Sequence, residues 1–166
     1  MEANGKGLSS AYVITVSDGV SARTREDESG RALVRILKDA GFDVMEPIVV
    51  PDEEQRIADA LVAAADQGAD VVVTTGGTGL GPRDVTPQAT SSVIEFEVPG
   101  IGEAMRRAGV ATTPMAALSR SIAGVRGHTL IINVPGSPKG AAESLEAALP
   151  VLAHAIKLLH GDTNHA

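Results

Sequence analysis

From Ala11 to Val16 the chain reads AYVITV, an unbroken apolar and β-branched run that stops at polar Ser17 and Asp18. Such a run, without alternation, predicts a strand covered on both faces. Downstream, Leu33, Val34, Leu37 and Ala40 recur at helical spacing, with Gly41 as a stop. FDVMEPIVVPD then predicts a second strand, in which Pro47 marks an edge position or a bulge. Ile57, Leu61 and Ala65 share a helical face in EEQRIADALVAAAD, and ADVVVTTGG is a third, almost wholly apolar strand. After it the pattern weakens. TPQATSSVIEFE reads as a helix with Pro87 near its first position, PGIGEAMRRAG as a short helix, and AALSRSIAGVRG as a weaker one that contains Gly124. HTLIINVPGSPKG is a strand followed by a turn. The final stretch places Leu145, Leu149, Leu152, Ile156 and Leu159 on one helical stripe that Pro150 should kink or split. Such a stripe is core or subunit interface. Residues 1–9 read as a loose lead-in, 10–160 as one domain and 161–166 as a polar tail.

Strands that alternate with helical patterns of this length predict an α/β fold with a mostly parallel sheet. In such sheets ligands bind outside the carboxyl ends of the strands. Those ends carry Ser17-Asp18, Pro51-Asp52, Thr75-Gly76-Gly77 and Asn133 to Ser137. The residues that are not plain core formers are thus expected at one edge of the sheet.

The third strand runs into TTGGTGLGPRDVTPQAT, with glycines at 76, 77, 79 and 81. Glycines after a strand can turn backbone N–H groups toward one point and cradle a phosphate, or they can simply make a tight turn. No Gly-Lys-Ser/Thr follows, and Pro82 stands where a dinucleotide fingerprint needs its third glycine. Asp84 has the wrong sign for a bare anion cradle. A carboxylate there either caps the next helix or holds a cation that bridges to phosphate, and Asp52 is a second carboxylate with the same two readings. In NVPGSPKG, Ser137 and Pro138 suit a helix start and Lys139 could reach a phosphate. Ser119 and Arg120, in LSRS, offer a hydroxyl and a fork fit for phosphate or, more blandly, for solvent.

Composition narrows the classes. The 166 residues contain no cysteine, which removes disulfides, thiolate zinc sites and thiolate catalysis. A net charge of −7 and only 2% aromatic residues (Tyr12, Phe42, Phe96) argue against nucleic-acid binding. No apolar run reaches membrane-spanning length and the N-terminus lacks signal-peptide regions, so the expected setting is the cytoplasm. His128, His154, His160 and His165 show no metal-ligand spacing, and no Gly-x-Ser-x-Gly elbow is present. From the residues alone, the chain reads as an α/β protein suited to a phosphorylated ligand bound together with magnesium.

Taken together, TTGGTGLGPRDVTPQAT, VPDE, ALSRSIAGVRG and TLIINVPGSPKG resemble, in order, the blocks of the Mog/MoaB family of molybdenum cofactor biosynthesis proteins. The resemblance covers Ser10 to Leu159. It implies a three-layer α/β/α sandwich of the molybdopterin-binding type and an adenylyltransferase that uses Mg2+ and ATP to place AMP on the terminal phosphate of molybdopterin, releasing pyrophosphate. By the same resemblance Asp52 and Asp84 are the magnesium-binding and catalytic carboxylates. Thr75, Gly76, Gly77, Thr78 and Gly79, with Pro135, Gly136, Ser137, Pro138 and Lys139, correspond to ligand-binding loops, as does Arg120. Ser119 and Asn133 match positions associated with the pterin. Family members form homotrimers or hexamers and hand their product to a molybdenum insertase; molybdopterin synthase is a further implied partner. Two alternatives share the pattern: a non-catalytic molybdopterin carrier, and a nucleotide pyrophosphohydrolase of the same fold, against which GGTGLGPRD counts.

Overall fold

The structure, a computed structural model, describes residues 7–163. The expected lead-in and tail lie outside the described residues except for 7–9 and 161–163. Strand β1 (Ser10–Val16) is followed by a one-turn helix α1 (Asp18–Ser21), α2 (Glu28–Asp39), β2 (Asp43–Val44), β3 (Ile48–Val50), α3 (Glu54–Asp66) and β4 (Val71–Thr75). Then come α4 (Thr86–Val93), β5 (Phe96–Glu97), α5 (Pro99–Val110), a 3-10 turn (Pro114–Leu118), β6 (Ala123–Arg126), β7 (Thr129–Val134) and α6 (Pro138–Leu159). The strands form one sheet in the order β2-β1-β4-β7-β6-β5, with β3 also pairing β1. β1 is parallel to β2, β3 and β4, and β4 to β7, whereas β6 runs antiparallel to both β7 and β5.

Period-two alternation along β1, β4 and β7 sends side chains to two separate cores. On one face Val13, Val73 and Ile132 meet Leu33 and Leu37 of α2, Met105 of α5, and Leu145 and Leu152 of α6. On the other, Ile14, Val72 and Ile131 meet Ile57 and Leu61 of α3 and Val93 of α4. Helices therefore cover both faces of the sheet, and the molecule is the three-layer sandwich that the strand–helix alternation predicts. The aliphatic stripe of α6 packs mainly on the first core: Leu145 and Leu152 are buried in it and Leu149 and Leu159 rest against it. On α3 it is Ala64 rather than Ala65 that is fully buried.

Four expectations are modified. The second strand is two pieces, with slack at Pro47: Ala11 faces Val44 but Ile14 faces Ile48, so three steps on β1 span four on its partner. Pro150 does not split α6, which is assigned continuously from Pro138 to Leu159. Both Pro150 and Glu146 are exposed, so water can take the carbonyl that the missing N–H leaves free. The helix over 86–97 ends at Val93, and Phe96–Glu97 pairs with β6 instead. The weak helix over 116–127 is a 3-10 turn followed by a strand. Gly124 explains that last difference: a Cβ there would lie 2.5 Å from Ile94 Cδ1 and 2.8 Å from the Phe96 carbonyl. A glycine that weakens a helix is here the residue that lets β5 and the end of α4 close on β6.

At the amino ends of the strands, far from the edge of interest, His160 Nε2 lies 2.6 Å from Asp70 Oδ1 and its ring meets His128 edge-on at 5.2 Å. Both rings are exposed, as is His154; His165 lies outside the described residues. Among the described residues no helix is long and apolar enough to cross a membrane.

The strand assignment of Gly124 has a test in the sign of one substitution. Gly124→Ala is expected to destabilise the protein by about 1–3 kcal/mol through overpacking, measured as a lower urea midpoint at unchanged slope. In a helix the same change would stabilise by roughly 0.5–1 kcal/mol, so an increased midpoint would refute the strand packing.

Candidate active site

The carboxyl ends of β1, β4 and β7 meet where no side chain fits. Gly76 and Gly77 have φ of 100° and 69°, in the left-handed region that glycine occupies without strain. A Cβ on Gly76 would fall on the Val16 carbonyl, and one on Gly77 would collide with Thr86 Oγ1. Gly136, in the turn after β7, approaches so closely that its Cβ would lie 3.3 Å from Gly76 Cα. The crossing is held by hydrogen bonds. Gly76 N donates to Val134 O (3.1 Å), Thr75 Oγ1 to Pro135 O (2.8 Å) and Thr86 Oγ1 to Gly76 O (2.8 Å).

Above this floor opens a cavity of about 750 Å³, walled by the glycine turn, Ser137 and Pro138, Asp52, Asp84, and Arg25 to Ser29 of the α1–α2 connection and the first turn of α2. The two aspartates are not helix caps. The residues capping α3 and α4 are Glu53 and Val85, and neither helix has a side-chain cap bond. Asp52 instead exchanges hydrogen bonds with Asp18: Asp18 N donates to Asp52 Oδ2 (2.8 Å), and Asp52 N to Asp18 Oδ1 (3.0 Å). Arg83 closes the arrangement with two bonds to the Asp18 carboxylate, at 3.0 and 2.9 Å. Asp84 Oδ2 accepts from Gly81 N at 2.8 Å. A Cβ on Gly79 or Gly81 would come within 2.9 or 2.8 Å of that same oxygen. The second pair of glycines is therefore shaped around a carboxylate.

Electrostatics separates the acids. Partial burial pushes the Asp52 carboxyl above its ordinary range; the hydrogen bond from Asp18 N opposes this, while the negative charges of Asp18 and Asp84 reinforce it. Asp18 is held low, chiefly by its hydrogen bonds from Arg83 and then by that from Asp52 N. A cation between Asp52 and Asp84 would relieve the like-charge crowding. Among the described residues no group of three or more His, Asp or Glu could hold a metal on its own. Two carboxylates in an open polar cavity fit a hard ion such as magnesium, which takes its other ligands from water and phosphate.

The remaining candidates divide. Thr75, Gly76, Gly77, Gly136, Ser137 and Pro138 line the main cavity. Ser137 also caps α6 through Gly140 N (3.1 Å). Thr78, Gly79, Ser119, Pro135 and Ser137 line an adjoining hollow of about 290 Å³, where Met105, Met115 and Leu118 supply apolar wall. Arg120 turns its guanidinium onto the protein, donating to Gly79 O (2.9 Å), Asp84 O (2.7 Å) and Gln88 Oε1 (3.2 Å). It clamps the loop that carries Asp84. Asn133 is fully buried beneath, donating to Thr74 Oγ1 (3.0 Å) and Thr90 Oγ1 (2.9 Å). Lys139 is exposed, 3.9 Å from Glu143, and lines neither cavity. Sequence reasoning placed Asp18 at a strand end without a role, and it passed over Arg83 and Asp27. Asp27 caps α2 through Gly30 N (3.0 Å) and accepts from Thr15 Oγ1 (2.9 Å). The one available signal was the acid immediately before the helix.

Residues 12–154 match a family model described as "Probable molybdopterin binding domain". The chain belongs to the Mog/MoaB family of molybdenum cofactor biosynthesis proteins. It is 40% identical over 153 residues to the molybdopterin adenylyltransferase of Helicobacter pylori, covering 90% of this chain and 87% of that one. It superposes on the molybdopterin biosynthesis enzyme MoaB of Thermus thermophilus with a TM-score of 0.88 at 50% identity, covering 93% and 98% of the two chains. The Mog protein of Mycobacterium ulcerans gives 0.88 at 37% identity, with 94% and 99% covered. In this Mog/MoaB chain, then, the four ordered motifs and the sandwich point to the same family.

The crowding at Asp52 has a measurable consequence. The folded protein binds the Asp52 proton more tightly than the unfolded chain does, so ionisation of this group opposes folding at neutral pH and ceases to matter below the unfolded range. Asp52→Asn should melt higher than the parent at pH 7, and the gap should close as pH falls below about 4. Magnesium should raise the melting temperature of the parent more than that of the variant. Equal melting at pH 7 would contradict the electrostatic account.

Proposed function

We propose that this protein transfers the adenylyl group of ATP to the terminal phosphate of molybdopterin, releasing pyrophosphate. The observation that carries the reading is the state of the two aspartates: both line one cavity, and neither is used as a helix cap. The name of the Helicobacter pylori relative supports the same reaction.

In this reading the polar cavity takes the triphosphate and the adjoining hollow takes the pterin, whose flat ring suits the walls of Met105, Met115 and Leu118 and the hydroxyl of Ser119. Ser137, which borders both, marks where the reacting phosphates meet. A phosphate oxygen of molybdopterin attacks the α-phosphorus of ATP. The new P–O bond forms as the α–β anhydride bond breaks, and its electron pair leaves on pyrophosphate. Asp52 and Asp84 would hold Mg2+, which when bound offsets the charge on the phosphate oxygens. The protein's own contribution is placement. Arg120 and Gly81 fix Asp84, Asp18 fixes Asp52, and the crossing of the glycine turns fixes the floor. No covalent nucleophile is required. The product would pass to a molybdenum insertase.

Asp84→Asn is expected to retain molybdopterin binding while lowering the turnover number at least ~100-fold, a loss typical of removing one electrostatic stabiliser. Pyrophosphate release from ATP and molybdopterin in the presence of Mg2+ measures it. Near-parental turnover by the variant would remove Asp84 from the mechanism. Molybdopterin binding by the parent without pyrophosphate release would replace the enzyme with a carrier.

A further inference from the structure

The main cavity has an unbalanced wall. Five carboxylates line it (Glu26, Asp27, Glu28, Asp52, Asp84) and one basic side chain, Arg25. Arg83 does not line it and is already paired with Asp18. Among the described residues Arg25 makes no ion pair and no hydrogen bond with its side chain, in spite of these acids. Its position is nevertheless defined. The side-chain stem packs over Gly19, where a Cβ would lie 3.2 Å from Arg25 Cδ and 3.3 Å from its Cβ. Two residues earlier, Arg23 takes a φ of 58°, a left-handed conformation uncommon for a side-chain-bearing residue. The connection is tied down at both ends: Thr24 N and Oγ1 donate to Gly19 O (3.0 and 3.2 Å), and Asp27 caps α2. The sharp turn at Arg23 and the bare surface of Gly19 thus bring a guanidinium without a partner to the wall of an acidic cavity.

We infer that Arg25 binds the polyphosphate of the nucleotide and supplies the cavity's own cationic contact to it. The inference rests on the nucleotide reading of the cavity given above and adds a recognition residue to it. A guanidinium that lines a cavity of carboxylates yet makes no ion pair with any of them keeps its donors available to a ligand anion, and its planar fork suits two phosphate oxygens. The charge has a further use. A polyphosphate entering past five carboxylates meets repulsion that a magnesium ion held near Asp52 and Asp84 screens only locally. A fixed cation on the α1–α2 connection offsets it elsewhere on the wall.

The test uses the full-length protein, with Mg-pyrophosphate and Mg-ATP as probes in calorimetry and pyrophosphate release as the kinetic readout. Arg25→Gln should weaken Mg-pyrophosphate binding about tenfold, in line with a charge-assisted hydrogen bond. It should raise KM for ATP by a similar factor, with kcat changed less than threefold and affinity for molybdopterin unaltered. Arg25→Lys keeps the stem on Gly19 and one charge, and should recover part of the loss, which a purely structural role for the guanidinium would not require. Parental affinity and KM in Arg25→Gln, in a protein that binds Mg-pyrophosphate and turns over, would overturn the inference and leave the adenylyl-transfer reading intact. A parent protein that neither binds Mg-pyrophosphate nor releases pyrophosphate from ATP and molybdopterin would overturn both.

Discussion

Everything at this edge of the sheet depends on a contact that contains almost no atoms. Gly76 lies against the Val16 carbonyl on one side and Gly136 on the other, so the ends of β1, β4 and β7 close to backbone distance. With a methyl group at position 76 the three ends would have to part. The cavity floor, the start of α4 and the turn into α6 all hang from that crossing. The central strands are buried up to this point, and the exposed polar residues of the cavity follow immediately beyond it, so core packing and site placement are one construction.

A second constraint is electrostatic. Asp52 and Asp84 share a cavity with each other and with Asp27, and among the described residues none of the three is in an ion pair. Hydrogen bonds from backbone N–H groups, rather than ion pairs, hold both in place. Neutral donors orient a carboxylate without consuming its charge, and a cation can then bind it without displacing a salt bridge. Arg83 shows the contrast. It neutralises Asp18, one step removed from the cavity, and so stiffens the support of Asp52 while leaving Asp52 itself available.

Much of this was legible in the chain. The Val-rich runs at Ala11 and Val71 fix a doubly covered sheet because no polar face is left for water, and strand ends locate the cavity by topology. The parts that resisted were those where tertiary packing overrides local preference. Nothing local says that Gly124 sits in a strand, because the reason is a side chain, Ile94, from another element. Arg120 reads as a phosphate fork, since its chemistry is the same whether the acceptor is a phosphate or the carbonyls of Gly79 and Asp84. Gly79 and Gly81 read as part of an anion nest, yet the anion they accommodate is the protein's own. The spacing Asp18…Asp52 spans thirty-four residues, which no local pattern could connect.

The buried polar belt formed by Asn133, Thr74, Thr90 and Thr86 has a consequence for how the chain reaches its native state. Asn133 ties β7 to β4 and α4, and Thr86 ties α4 to the glycine turn. Val-rich strands alone would tolerate sliding past one another, since one valine packs much like the next. A slip of one position here would strand several hydrogen-bonding groups in an apolar layer, at about 1–3 kcal/mol each. The belt therefore selects the register of the core: arrangements that would misplace this edge of the sheet are penalised before any ligand arrives.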